Sequence, residues 1–369
     1  MKKVISAVLI AAVLLCFGAC NFSPEAVPKE TEEPVFQTQA AQKPMVAVAL
    51  PTVTEEKSAQ DGTLLLRTVY QNMELTVPDP EVAERIIVDF LNHTDLLTAT
   101  NDALLKQAAE SYVPNSNFSP YLSQIVFTPR RIDQGILSLY GEYVEYKGSA
   151  HPEVNPLSLT YDMTTGQAVT SSEILVKGSD EQLLEAVLGA LINQQDILYE
   201  GYEETVKELF LSKQNWYLSE EGIVFYYSPY EIAPYSAGVV TATVPYQALS
   251  GILNDAYFPR EKDTLWGEIK VLPFTLDHMA RFTQSAEVVC GKGNAQAIIY
   301  TDGTLESIYV ELINEQNCQT VIAAHTLTPG DAIIIHGEAG QEYNIQYKTE
   351  DGTDSCKLTF TPDGTPSLS

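Results

Sequence analysis

The sequence predicts an α+β unit with a mostly antiparallel sheet, followed by a small all-β immunoglobulin-like sandwich. Three observations carry that expectation. Hydrophobic residues make up 45% of the 369-residue chain, enough to bury real cores and too much for a wholly disordered chain. Between residues 61 and 260, β-rich runs interleave with runs of helical spacing, the mark of α+β architecture. After residue 283 the helical spacing stops, and seven short apolar runs follow, separated by Gly, Asp, Asn or Pro, which reads as a sandwich.

Taken in order, the chain opens with Lys2 and Lys3 and then 14 residues, Val4 to Phe17, interrupted only by Ser6. A membrane-spanning helix needs about 20 apolar residues, so residues 1–19 read as a secretory signal. Residues 20–60 read as a tether: Pro24, Pro28, Pro34, Pro44 and Pro51, six glutamates and no glycine bury too little to offset ordering entropy. As a coil such a segment reaches about 35 Å. Val46–Leu50 is apolar enough to dock somewhere, and the sequence leaves open where.

Order is expected from Asp61-Gly62. Thr63–Val77 alternates as one or two strands, and Asp79 with Pro80 starts a helix whose stripe is Val82, Ile86, Phe90, Leu96, Leu97, Leu104 and Leu105, in one piece or two. Ile125–Ile132 and Ile136–Glu145 pair through a turn at Asp133-Gln134-Gly135. Leu157–Tyr161 ends at Thr164-Thr165-Gly166, dividing the unit into 61–165 and 166–260. Helical spacing returns over 180–211, followed by strands at Trp216–Leu218, Ile223–Tyr227 and Val239–Val244 and a closing helix over Tyr246–Ala256. Residues 261–282 read as a connector and 363–369 as a tail. The sandwich runs are Glu287–Val289, Gln296–Tyr300, Ile308–Ile313, Val321–His325, Ala332–His336, Tyr343–Tyr347 and Lys357–Phe360. Asp-Gly pairs at 302–303, 351–352 and 363–364 mark turns.

Gly18-Ala19-Cys20 resembles the lipobox of bacterial lipoproteins, which makes Cys20 the lipidation residue and the outer face of the cytoplasmic membrane the location. Two further stretches resemble a known family. One is Gly148-Ser149-Ala150-His151-Pro152 with Leu157–Asp162 and Thr165-Gly166. The other is Asn215–Leu218 through Gly222–Tyr227 to Ser228-Pro229-Tyr230-Glu231-Ile232-Ala233-Pro234-Tyr235. Both are similar to the RsiV-like extracytoplasmic unit, two adjacent domains of unknown function numbered 4163 and 3298, over residues 61–260. Ser149 stands where that family more often has a second glycine. The resemblance implies an outside recognition unit that binds lysozyme directly in the RsiV anti-sigma factor and accompanies a catalytic domain in a related peptidoglycan deacetylase. Only three residues precede the hydrophobic segment here, so no cytoplasmic effector is expected ahead of it, and no deacetylase pattern is visible.

The candidate ligand-binding residues are therefore Gly148, Ser149, His151, Pro229, Tyr230, Glu231, Pro234 and Tyr235. Two prolines lower the ordering cost of a contact loop, and Tyr230 and Tyr235 are the residue type found at interface anchors. The plainer alternative is a strand crossing with both tyrosines packed inward and His151 as a turn residue. His325 and His336 lie on separate expected strands without metal-ligand spacing, and no metal or cofactor site is expected. Cys290, Cys318 and Cys356 remain after the signal; Cys290 with Cys356 is the favoured disulfide, and a reduced trio is the equal alternative. Asn92-His93-Thr94 and Asn117-Phe118-Ser119 match the glycosylation pattern but mean little in a bacterial lipoprotein.

The formal charge of −28 excludes a nucleic-acid partner, which would need a basic stripe. It favours a basic envelope-active protein such as lysozyme, steered over about 8 Å at physiological ionic strength. Cell-wall glycan, stacked on tyrosines and Trp216, is the second candidate partner. A hydrolase is the third reading; no Gly-x-Ser-x-Gly elbow, phosphate loop or dinucleotide fingerprint supports one, and no catalytic residue is expected.

Overall fold

The first described strand is apolar at every position, and it needs a core on each side. Successive strand side chains point to opposite faces. Met45, Ala47 and Ala49 enter one core, while Val46, Val48 and Leu50 enter another, and all six are buried. Their centre is β1 (Ala47–Ala49). The computed structural model describes residues 43–114, 116–212, 214–260, 264–314 and 318–369, except the side chains of Leu96 and Leu97. The expected signal segment 1–19, the expected lipidation residue Cys20 and the expected tether as far as residue 42 lie outside the described residues. Residues 43–60 are already ordered, against the expectation of a tether as far as residue 60, because the apolar stretch 45–50 has two cores to fill.

β2 (Thr52–Ser58), β3 (Leu64–Gln71) and β4 (Glu74–Thr76) follow. α1 (Pro80–Thr98) starts as its sequence dictates: Asp79 accepts from the Glu81 N–H at 2.9 Å, and Pro80 sits where no N–H is needed. Its buried stripe is Val82, Ile86 and Phe90. α2 (Asn101–Ser111) buries Leu104 and Ala108. β5 (Tyr121–Ile132) and β6 (Ile136–Tyr146) form the expected hairpin; the Asp133 carboxylate accepts from the N–H groups of Gly135 (2.7 Å) and Ile136 (2.8 Å), which closes the turn. β7 (Glu153–Asp162) completes a five-stranded sheet in the order β2-β3-β5-β6-β7, antiparallel except for β3 with β5.

α3 (Ser171–Ile174), α4 (Asp180–Leu191) and α5 (Tyr202–Leu209) lead to an antiparallel sheet of β8 (Trp216–Leu218), β9 (Gly222–Tyr227) and β10 (Val240–Pro245). Leu183, Val187 and Leu191 pack there with Trp216, Phe225 and Ala242. The helix expected over Tyr246–Ala256 does not form. Two single 3-10 turns, Tyr246–Ala248 and Asp255–Tyr257, stand in its place. Gly251 turns left-handed inside the segment (φ of +75°) and Leu253 bridges to Leu175, so the chain cannot continue as one helix. Arg131, 2% exposed, braces the two ends. It pairs with Asp133 at 2.7 Å and donates to the Tyr246 hydroxyl (2.7 Å) and the carbonyls of Tyr257 (2.6 Å) and Phe258 (3.3 Å), and a buried cation requires such acceptors.

Next come β11 (Ile269–Pro273), α6 (Leu276–Met279), β12 (Gln284–Val289), β13 (Ala295–Thr301), β14 (Leu305–Ile313), β15 (Cys318–Leu327), β16 (Asp331–Gly337), β17 (Glu342–Thr349), β18 (Gly352–Phe360) and β19 (Pro366–Leu368). Each of the seven runs read from the sequence lies in a strand from β12 to β18. The connector 261–282 and the tail 363–369 are more than spacers, since β11 pairs with β13 and β19 with β18.

These strands make two sheets, β11-β13-β16-β12 and β19-β18-β17-β14-β15-β1-β4. They share a core containing Ile299, Ile333 and Ile335 from the first and Ile308, Ile322, Ile345 and Phe360 from the second. The larger sheet takes β1 and β4 from the N-terminal half, and the described residues from Lys43 belong to one compact unit. The molecule is dominated by strands in several largely antiparallel sheets, with fewer helical residues. No helix among the described residues is long and apolar enough to cross a membrane.

Cys290, Cys318 and Cys356 are free thiols, so the Cys290–Cys356 disulfide is not formed. Cys290 follows β12 of the smaller sheet and Cys356 lies in β18 of the larger. Burial pushes both thiols up to about 11, whereas Cys318 is exposed.

A thiol-reactive dye at mildly alkaline pH is therefore expected to label Cys318 in the native protein and the other two only after unfolding; two missing thiols in denatured, unreduced protein would contradict the free state. Leu50→Ala is expected to cost about 3 kcal/mol. Chemical denaturation should keep one transition across both cores, and two separated transitions would show that β1 does not couple them.

Candidate functional site

The segment after β9 is folded tightly by its own backbone. The Glu231 carboxylate accepts from the Ser228 N–H (2.7 Å), the Glu231 N–H donates to the Ser228 carbonyl (3.1 Å), and the Tyr230 N–H donates to the Ala233 carbonyl (3.0 Å). Pro229 and Pro234 fix φ on either side. Ile232 and Ala233 are buried and anchor the loop in the core beneath. Tyr230 pays for the tight bend with φ of +73°, a left-handed conformation that disfavours a side chain.

The second segment is the turn between β6 and β7. Gly148 supplies φ of +75°, and the Ser149 hydroxyl donates to the His151 carbonyl (2.7 Å). His151 Nδ1 lies 3.1 Å from the Pro152 carbonyl. A carbonyl only accepts, so Nδ1 carries the proton. In the neutral ring Nε2 is then the acceptor, and the Tyr230 hydroxyl, 3.3 Å away, donates to it.

The two segments, remote in sequence, meet as three rings. His151 stacks on Tyr235 with centroids 3.9 Å apart and planes inclined by 25°. Tyr230 lies 5.7 Å from Tyr235 and 6.2 Å from His151. The Tyr235 hydroxyl donates to the Pro152 carbonyl at 3.0 Å, so Tyr235 is half-buried and tied inward as the strand-crossing alternative required. Tyr230 is not: 58% of it is exposed. His151 and Pro234 are exposed as well, and Pro229 and Glu231 are intermediate. All eight candidate residues belong to this pair of turns. The imidazole has a carbonyl on one nitrogen and a phenol on the other, an arrangement that fixes ring orientation for face and edge contact.

The rest of the second motif is core. Trp216, Leu218, Ile223, Phe225 and Tyr227 are fully buried, so Trp216 is no stacking platform for a sugar. Reasoning from sequence missed Tyr199, 41% exposed, whose N–H donates to the Ile232 carbonyl at 2.9 Å and brings it beside the loop. Its signal was the apolar run Ile197-Leu198-Tyr199, which falls out of helical spacing just before Gly201. Exposed Glu153 and Glu200 adjoin Pro152 and Tyr199 in the chain and give the surface an acidic rim. His325 and His336 are not brought to it. His336 Nε2 lies 2.6 Å from a Glu287 carboxylate oxygen, and no group of three potential His, Cys, Asp or Glu metal ligands occurs among the described residues.

Residues 172–247, running from α3 to just past β10, match a family described as "Protein of unknown function (DUF3298)". No curated protein matches the chain. Among solved structures, a DUF3298 family member from Bacteroides fragilis is similar at 17% identity, over 57% of this chain and 94% of that one, with a TM-score of 0.43. A DUF3298 family protein from Pseudomonas aeruginosa is similar at 20% identity, over 57% of this chain and 98% of that one, with a TM-score of 0.40.

Replacing Tyr230 by glycine removes an exposed ring and relieves a left-handed φ worth about 1 kcal/mol. The variant is expected to melt at the same temperature as the parent or higher; a loss above about 1 kcal/mol would mean that the ring serves the fold. Tyr235→Phe, by contrast, should cost about 1 kcal/mol through the lost hydrogen bond to Pro152.

Proposed function

We propose that the chain is a non-catalytic binding module of the cell envelope, RsiV-like over residues 61–260, which holds a basic protein of the lysozyme type on the His151–Tyr230–Tyr235 surface. The observation that carries this reading is the convergence of the two turns on one partly exposed ring cluster, with a strained Tyr230 kept outward. Strain of that kind, where it persists, is a feature of binding and active sites, and rigid aromatic side chains give contact area at low entropic cost. The acidic rim and the chain's charge of −28 supply attraction toward a basic partner and raise its rate of encounter. On this reading Cys20 carries the lipid anchor, the folded part stands off the outer face of the cytoplasmic membrane, and the sandwich strands brace the recognition unit.

Calorimetric titration with a basic lysozyme is the direct test. Binding is expected to weaken with added salt, and Tyr230→Ala or His151→Ala is expected to weaken it at least tenfold at moderate salt, because anchor residues carry most of an interface's energy. Cytochrome c, an equally basic protein, is the control. If it binds as tightly, or if both substitutions are silent, charge alone is at work and the aromatic surface has no role.

A further inference from the structure

A polar groove sharing no residue with the ring cluster separates the five-stranded sheet from the larger sandwich sheet. One part has a volume of about 670 Å³ and an adjoining part about 410 Å³; Thr128 and Arg130 line both. That is the size of a small-molecule site. One wall is the face of β5 turned away from Ile125 and Phe127, which are core residues. The other wall is the start of β15, where the Gln319 amide reaches across to the Thr52 hydroxyl.

Arg130 is the unusual member. A β-bulge lies at this point of the β5–β6 pairing: Pro129 opposes Leu139 and Arg131 opposes Ser138, leaving Arg130 without a partner residue. Bulges re-aim side chains and concentrate near functional sites. Here the bulge lays the guanidinium over the rings of Tyr140 (5.3 Å) and Tyr217 (5.8 Å). Its Nε is buried with no hydrogen-bond acceptor, and among the described residues no carboxylate stands within ion-pair distance of it. The contrast with adjacent Arg131, saturated by Asp133, Tyr246 and two carbonyls, is sharp. In a chain with 49 acidic residues against 21 basic ones, a partly buried arginine that meets aromatic faces and no acid needs a reason.

The acid of the larger part does not supply a partner. Glu142 accepts from the Tyr140 hydroxyl at 2.8 Å. The remaining polar groups of that part are hydroxyls, amides and the Cys318 thiol, including Thr54, Gln124, Asn314 and Gln319. In the adjoining part Glu220 pairs with Lys348, Glu311 accepts from Asn344 and Gln346, and Glu221 is exposed. One open guanidinium, which matches a carboxylate in two parallel hydrogen bonds, thus faces a row of neutral donors and acceptors beside an aromatic ring. We infer that the groove binds an acidic saccharide, with a sugar carboxylate on Arg130 and ring hydroxyls on the threonine and amide side chains. A phosphate or sulfate ester, with more charge, would call for a second cation, and the larger part contains none.

Titration of the full chain with tetragalacturonate at physiological ionic strength tests this. There the chain's overall negative field is screened beyond about 8 Å while a close ion pair persists. The free acid is expected to bind, and its fully methyl-esterified form to bind at least tenfold more weakly. Arg130→Gln should abolish the difference between the two, and Gln124→Ala should weaken the acid several-fold without altering the melting temperature. No binding, or equal binding of acid and ester, overturns the proposal. So does undiminished binding by a folded Arg130→Gln variant; if that variant fails to fold, the ester comparison and Gln124→Ala decide. Sodium acetate binding as tightly as the tetrasaccharide would overturn the saccharide and leave only a carboxylate site.

Discussion

Two of the molecule's main cores are joined by a three-residue strand that is buried on both faces. β1 lies between β15 and β4, and its side chains alternate between the core shared by the two C-terminal sheets and the core under α1. Alanine at 47 and 49 and larger residues at 46, 48 and 50 fit that division: the sandwich side is already filled by isoleucine and valine, while the other side has room for Val48 and Leu50. An apolar alternation of this kind has no solvent face to spare. The seven-stranded sheet consequently serves two cores, and the two halves of the chain share material instead of merely touching.

What the sequence disclosed follows range of interaction. The α1 start was legible because Asp79 and Pro80 act within one turn, and the β5–β6 hairpin because Asp133 caps its own loop. The seven sandwich runs were legible because alternation and turn residues are local. The destination of residues 45–50 was not, since the strand that receives them lies at the far end of the chain and nothing nearby encodes the partner. The helix expected over Tyr246–Ala256 failed for a related reason: its spacing was sound, but Leu253 bridges distant Leu175, the Ile252 carbonyl accepts from the Val176 N–H, and Gly251 turns left-handed between the two 3-10 turns. Tertiary demand overrode local propensity.

The same division runs through the candidate site. The loop Pro229–Tyr235 and the turn around His151 each drew notice through their residue types. That the two would share a stack 3.9 Å apart is a property of how β7 and β9 are brought together, not of either segment. Trp216 shows the converse. An aromatic residue beside a distinctive loop reads as surface chemistry, yet its strand position sends it fully inward. Arg130 and Arg131 make the point most economically: two identical side chains in succession have opposite fates because one is the extra residue of a bulge and the other faces the Asp133 carboxylate.

The placement of β1 also has a mechanical side. Load applied along the strand from its N-terminal end falls on the hydrogen bonds to β15 and to β4 together, so they are sheared as a set and not peeled in turn. Two antiparallel neighbours and two hydrophobic faces resist that displacement at once. A chain held and tugged from its leading end would keep the two cores that β1 joins folded up to the force that extracts this one strand, and would lose them in the same event.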